Sequence, residues 1–144
     1  MRLAIKLVLA AAAFMSTLLL LPSFAISYSI PSAGSGLSLP PEPRLIHPVS
    51  EEAVLTGKGS LEFKWSIVNL VEADHCEFRL YKGYNMYASN LIFKQALPAK
   101  IPFIEINSGI FEDGQVYTWS VREVSFWGRK SERAFCSFRV VKKG

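Results

Sequence analysis

From position 44 onward the chain alternates apolar and polar residues with a period of two, the pattern of strands that have one dry face and one wet face. In LEFKWSI, Leu61, Phe63, Trp65 and Ile67 fall on one side and Glu62, Lys64 and Ser66 on the other. CEFRLY sets Cys76, Phe78 and Leu80 against Glu77, Arg79 and Tyr81, and QVYTWSVRE sets Tyr117, Trp119 and Val121 against Thr118, Ser120 and Arg122. AFCSFRVV repeats the pattern, with Cys136, Phe138 and Val140 opposite Ser137 and Arg139. Shorter apolar runs at Leu91 to Phe93 and Phe103 to Ile106, with Arg44 to Ile46 before Pro48, bring the expected total to about seven strands. Turn-forming residues fall between them at Thr56 to Gly59, Lys82 to Asn85, Asn107 to Gly109, Asp113 with Gly114, and Gly128. No stretch sustains the spacing of an amphipathic helix. Short strands with one apolar face each predict an all-β fold of two antiparallel sheets packed face to face, a small barrel being the alternative. Trp65, Phe78, Tyr117, Trp119 and Phe138 are the expected centre of its core.

The pattern upstream is different. Arg2 and Lys6 precede an apolar run from Leu7 to Leu21, Pro22 breaks it, and Ser23 and Ala25 fit a small-residue cleavage site, so residues 1–25 are expected to be a signal peptide. A helix over that run is about 22 Å long against about 30 Å of hydrocarbon, which argues for a transient passage across a membrane rather than an anchor. Residues 26–43, ISYSIPSAGSGLSLPPEP, are expected to be a flexible spacer rich in Ser, Gly and Pro, and residues 44–144 the folded domain. Removing the leader leaves 119 residues with fourteen basic and twelve acidic side chains, a formal charge of +2. The alkaline character of the full chain is therefore no sign of nucleic-acid binding, and the small basic clusters at Arg129, Lys130, Arg133 and at Lys142, Lys143 are expected to be solvated surface.

Several segments resemble the fibronectin type III superfamily, in particular its divergent bacterial exported members. PPEPRLIHP is similar to the proline-rich entry to the first strand, and LEFKWS to the second strand with its buried tryptophan, Trp65. FEDGQVYTWSVREV is similar to the leucine, glycine, tyrosine pattern before and within the sixth strand, with Phe111 in place of the leucine, Gly114 in the turn and Tyr117 as the corner tyrosine. The turn's usual proline is absent, with Glu112 and Asp113 standing there. The resemblance spans about Pro41 to Val141 and implies a fibronectin type III-like sandwich, a Tyr117 hydroxyl bonded to nearby backbone, and the use of the connection before the last strand, Phe126 to Lys130, for binding.

Two cysteines in an exported domain predict a bridge between Cys76 and Cys136. In the type III topology the sixth strand separates them, and two buried free thiols are the alternative. Equipment for catalysis is sparse. Asp74, His75 and Cys76 are adjacent, but neighbours on a strand face opposite ways. His47 is held before Pro48, which leaves too few ligands for a zinc site, and the pairs Glu51 with Glu52 and Glu112 with Asp113 fall in turn-like segments. No catalytic residue, metal or cofactor is assigned. What remains is aromatic surface, Tyr84 and Tyr87 in one connection and Phe126, Trp127 and Arg129 in another. The sequence thus predicts an exported, non-catalytic module, periplasmic or extracellular, that binds another envelope or surface protein. A small carbohydrate-binding module is the alternative, and nucleic acid is not an expected partner.

Overall fold

The structure is a computed structural model and describes residues 38–144. The expected signal peptide, 1–25, and all of the expected spacer but 38–43 lie outside the described residues. Eight strands follow: β1 (Arg44–His47), β2 (Glu52–Thr56), β3 (Ser60–Ser66), β4 (Ala73–Lys82), β5 (Leu91–Pro98), β6 (Phe103–Asn107), β7 (Val116–Ser125) and β8 (Ala134–Lys143). They form two sheets, one ordered β1-β3-β6 and the other β2-β8-β7-β4-β5, with no ladder joining them among the described residues. The fold is therefore the predicted two-sheet sandwich of fibronectin type III-like form, not a barrel. All pairings are antiparallel except β2 with β8.

Each sheet turns its apolar side chains inward. From the small sheet come Leu61, Phe63 and Trp65, with Ile104 and Ile106 beside them; from the large sheet come Phe78, Leu80, Tyr117, Trp119, Val121, Phe138 and Val140. Phe63, fully buried, lies at the centre. Its ring centroid is 5.2 Å from Phe78, 5.3 Å from Trp119 and 5.8 Å from Phe138, each in edge-to-face geometry. Trp65 stacks on Phe78 at 6.0 Å. Edge-to-face pairs at these separations add to the burial of apolar area.

The corner before β7 matches its expected geometry. The Tyr117 hydroxyl accepts from the Glu112 backbone N–H at 2.9 Å and donates to the Ile110 carbonyl at 3.5 Å. Gly114 turns the chain with φ of 73°, a conformation that L side chains rarely adopt, and the Asp113 carboxylate accepts from the Lys142 N–H at 2.8 Å. The turn therefore closes without proline.

Four expectations need correction. The strands number eight rather than about seven: after β1, which lies where the first strand was expected, the chain passes Pro48, leaves the small sheet, and an additional strand, β2, joins the large one alongside β8. The Trp119 indole N–H holds this crossing by donating to the Pro48 carbonyl at 2.9 Å. Glu52 accordingly opens a strand rather than sitting in a turn. The outward residues of the central strands are not wet, since Tyr81, Thr118 and Ser120 are all buried. The Thr118 hydroxyl donates to the Gly83 carbonyl at 2.7 Å, and the Arg133 guanidinium reaches over Ser120 at 3.4 Å. Basic residues are not all solvated surface either, because the Arg133 side chain is only 16% exposed.

The fourth correction concerns the cysteines, which are both free. On β7, Cys76 stands opposite Glu123 from one side and Cys136 opposite Trp119 from the other. Two strand spacings and four residues of rise put them more than about 15 Å apart, well beyond the roughly 7 Å that a disulfide spans. Burial pushes the Cys76 thiol up to about 11; the Glu123 charge adds to this, while the Trp65 indole N–H opposes it without hydrogen-bond geometry toward the sulfur.

Two outcomes test this architecture. Replacing Trp65 by alanine should lower the unfolding free energy by about 3–5 kcal/mol in urea denaturation, and a loss under about 1 kcal/mol would remove Trp65 from the core. Titration of unreduced, unfolded protein with a thiol reagent should find both cysteines reactive; a bonded pair would contradict the strand register.

Candidate functional site

The strand directions sort the candidate residues to opposite ends of the sandwich. β4 and β7 run antiparallel, so the β3–β4 and β7–β8 connections share one pole, while the β4–β5 connection lies at the other. Phe126, Trp127 and Arg129 therefore sit at the first pole and Tyr84 and Tyr87 at the second. All four aromatic residues are exposed, but the structure does not bring the two sets together.

At the first pole the β7–β8 turn is tightly held. Gly128 N–H donates to the Ser125 carbonyl at 2.8 Å, Ser125 N–H to the Arg129 carbonyl at 2.8 Å, and Gly128 has φ of 75°. Phe126 and Trp127 project from this turn, 64% and 66% exposed, and the Arg129 guanidinium lies over the Trp127 ring at 5.7 Å. The Arg129 guanidinium also donates to the Ser38 carbonyl at 3.0 Å. The neighbouring connection, residues 67–72, is tied to this turn by the Phe126 N–H, which donates to the Glu72 carbonyl at 3.1 Å. It adds three exposed apolar side chains, Val68, Leu70 and Val71, the last 86% exposed. Five exposed large apolar side chains thus lie on two connections joined by a backbone hydrogen bond, the kind of exposure that marks contact surfaces. Sequence reasoning found the aromatic half and missed Val68, Leu70 and Val71. The available signal was three branched apolar residues in a segment without alternation.

Tyr84, at the other pole, borders a groove of about 430 Å³ lined by Glu51, Glu52, Ser137 and Arg139. Tyr87 precedes a single 3-10 turn, Ala88–Asn90.

Beneath the first pole lies a buried polar group that the sequence did not flag. Glu123 continues the inward series of β7, is fully shielded from water, and neither carboxylate oxygen has a hydrogen-bond partner. The Trp65 indole N–H is also unpartnered. Only the Glu123 backbone is tied, its N–H donating to the Ser131 hydroxyl at 2.9 Å. Burial first, and then the charge of Glu72, raises the Glu123 carboxyl above its usual range.

Glu77, on the outer face of the large sheet, has the opposite environment. Arg122 and Arg133 reach its Oε2 at 2.6 and 3.0 Å, and the Lys130 ammonium reaches Oε1 at 3.2 Å. Burial opposes ionisation, but the hydrogen bonds and charges of Arg122 and Lys130 outweigh it and hold the carboxyl below its usual value. Burial, followed by Arg122 and Arg79, brings the Arg133 guanidinium down to about 10.

The Asp74, His75, Cys76 run makes no catalytic arrangement. His75 Nδ1 meets the Asp74 carboxylate at 2.7 Å near the surface, while Cys76 is buried in the core. Among the described residues, no three His, Cys, Asp or Glu side chains converge as metal ligands, and no helix is long and apolar enough to cross a membrane.

No protein-family model matches the chain, and no curated protein matches it. Solved structures that resemble it include fibronectin III and immunoglobulin-like domains. The fibronectin(III)-like modules of Clostridium thermocellum CbhA share 14% identity over 71% of this chain and 99% of theirs, with a TM-score of 0.48. The third fibronectin III domain of human KIAA0343 protein shares 18% over 81% and 94%, with a TM-score of 0.46. Murine CRIg shares 13% over 71% and 98%, with a TM-score of 0.43. The strand order and the tyrosine corner of this chain define its fold.

The raised Glu123 carboxyl has a defined consequence for pH. Its proton favours the folded state, so its contribution is fully present below the ordinary glutamate value of about 4.3 and is lost as pH rises through the raised folded value. Glu123→Gln should therefore unfold at higher temperature than the parent at pH 7, with the gap closing toward pH 4 in calorimetric scans. An equal gap at both pH values would show that Glu123 ionises as an ordinary surface glutamate.

Proposed function

We propose that the chain is an exported, non-catalytic interaction module that grips another protein of the envelope or cell surface through the pole built from residues 67–72 and 126–129. The observation that carries this reading is the exposed group Val68, Leu70, Val71, Phe126 and Trp127 on two connections joined by a backbone hydrogen bond. Aromatic side chains give much contact area with few rotors to freeze, and a turn already held by hydrogen bonds loses little freedom on binding. The basic start, apolar core and small-residue end of residues 1–25 support export. The inward-facing Cys76, held away from His75, supports a role without catalysis.

A carbohydrate-binding role is favoured by a separate observation, the polar groove beside Tyr84, where Glu51, Glu52 and Arg139 offer partners for hydroxyl groups and the tyrosine ring a stacking face.

The two readings separate in one experiment. The doubly substituted variant Val71→Ser, Trp127→Ala, checked for unchanged melting temperature, should lose the proteins that the parent crosslinks to in its native host by at least about tenfold, as expected for central apolar anchors. Retention of those partners by this variant, with loss on Tyr84→Ala and glycan-array binding by the parent, would replace the protein reading with the carbohydrate one.

A further inference from the structure

The outer face of the large sheet carries a charge imbalance that the apolar pole does not explain. Arg79, Lys94, Arg122, Lys130 and Arg133 gather on or beside β4, β5 and β7, and one carboxylate, Glu77, lies among them. Glu77 is already shared by Arg122, Lys130 and Arg133. Among the described residues, Arg79 and Lys94 make no ion pair, yet the register sets them directly opposite one another on the same face. Like charges so placed repel, and a folded domain gains nothing from the arrangement by itself. Arg79 is half-buried. Together with Glu77, Gln95 and Ala96 the two cations line a groove of about 350 Å³.

The second observation is the edge itself. Among the described residues β5 pairs only with β4, so along Leu91–Pro98 alternate backbone N–H and C=O groups face away from the sheet with no described strand to meet them. Unpaired backbone beside unpaired positive charge calls for a partner that supplies both complements, main-chain donors and acceptors in extended form and carboxylates on alternate residues.

We propose that β5 accepts an extended acidic polypeptide segment as an added strand, with its outward carboxylates seated against Lys94 and Arg79. This rests on the reading of the chain as a binding module, but on a different surface from the apolar pole. A sugar or a free oxyanion would satisfy the cations and leave the backbone of β5 unpaired; an uncharged strand would satisfy the backbone and leave the cations facing one another. In an added strand, side chains alternate in direction, so every second residue lies on the cationic face.

The probe is a nine-residue peptide alternating Glu with Thr, blocked at both ends, titrated calorimetrically into the domain. Binding should weaken as salt rises. It should fall at least about tenfold when the glutamates are replaced by glutamine, and likewise when alternate peptide amides are N-methylated. Arg79→Gln with Lys94→Gln should cause a similar loss, whereas Arg79→Lys with Lys94→Arg should keep binding within about threefold and so separates charge from folding defects. Trp127→Ala should bind the peptide as the parent does, which keeps the edge and the pole independent. Absence of binding, equal binding by the N-methylated peptide, or tighter binding of a heparin tetrasaccharide would each overturn the proposal. So would loss of the peptide on Trp127→Ala, which would place it at the pole.

Discussion

The fold depends on the contact of Phe63 with the facing sheet. Its ring meets Phe78, Trp119 and Phe138 from three strands of the large sheet. One side chain of the smaller sheet thereby fixes the spacing and lateral position of three partners that do not adjoin it in sequence. Trp65, Phe111 and Tyr117 extend the same aromatic layer toward the two ends, and the Trp119 indole ties it to the segment that carries the chain from β1 to β2. Close-packed rings of this size tolerate little displacement, so the sandwich is specified by shape as well as by apolar area.

That layer also decides where the molecule can act. On the central strand β7 the outward Thr118 and Ser120 are dry, covered by the Ser137 hydroxyl and the Arg133 guanidinium, while the outward Glu77 and Arg79 of β4 stay half-buried. The contacts proposed above accordingly fall at one pole and at one edge. At the pole of Phe126 and Trp127, the structure accepts an unpartnered Glu123 beneath exposed apolar connections. A carboxylate without partners in a dry site is costly. Such a cost is tolerated where a surface serves more than stability, which accords with the contact proposed for this pole.

Much of the architecture was legible because a strand declares itself locally. The alternation in LEFKWSI, in CEFRLY and in QVYTWSVRE placed half of the buried core, including Phe63 and Trp119 at its centre, and FEDGQVY carried enough turn chemistry to place the Tyr117 corner. β2 was missed because its dry face is just Ala53 and Leu55, and because its partner β8 lies at the far end of the chain. Tyr81 and Thr118 were expected in water because periodicity reports which face a residue is on, not what lies over that face. The aromatic half of the apolar surface proposed for contact was visible as residue type; Val68, Leu70 and Val71 acquired meaning only once the Glu72 carbonyl was seen to join their connection to Phe126.

The sequence by itself determined that this protein is made of strands, which side of each strand is dry, and which tyrosine closes its corner, since these follow from spacing between near neighbours. Tertiary structure alone decided that Cys76 and Cys136 stand apart, that Glu77 is shared by cations drawn from Arg122, Lys130 and Arg133, and that Arg79 faces Lys94. The reason is register. A shift of one or two residues between strands leaves every local pattern intact and changes every cross-strand partner, and only the packing of the aromatic layer selects among those alignments.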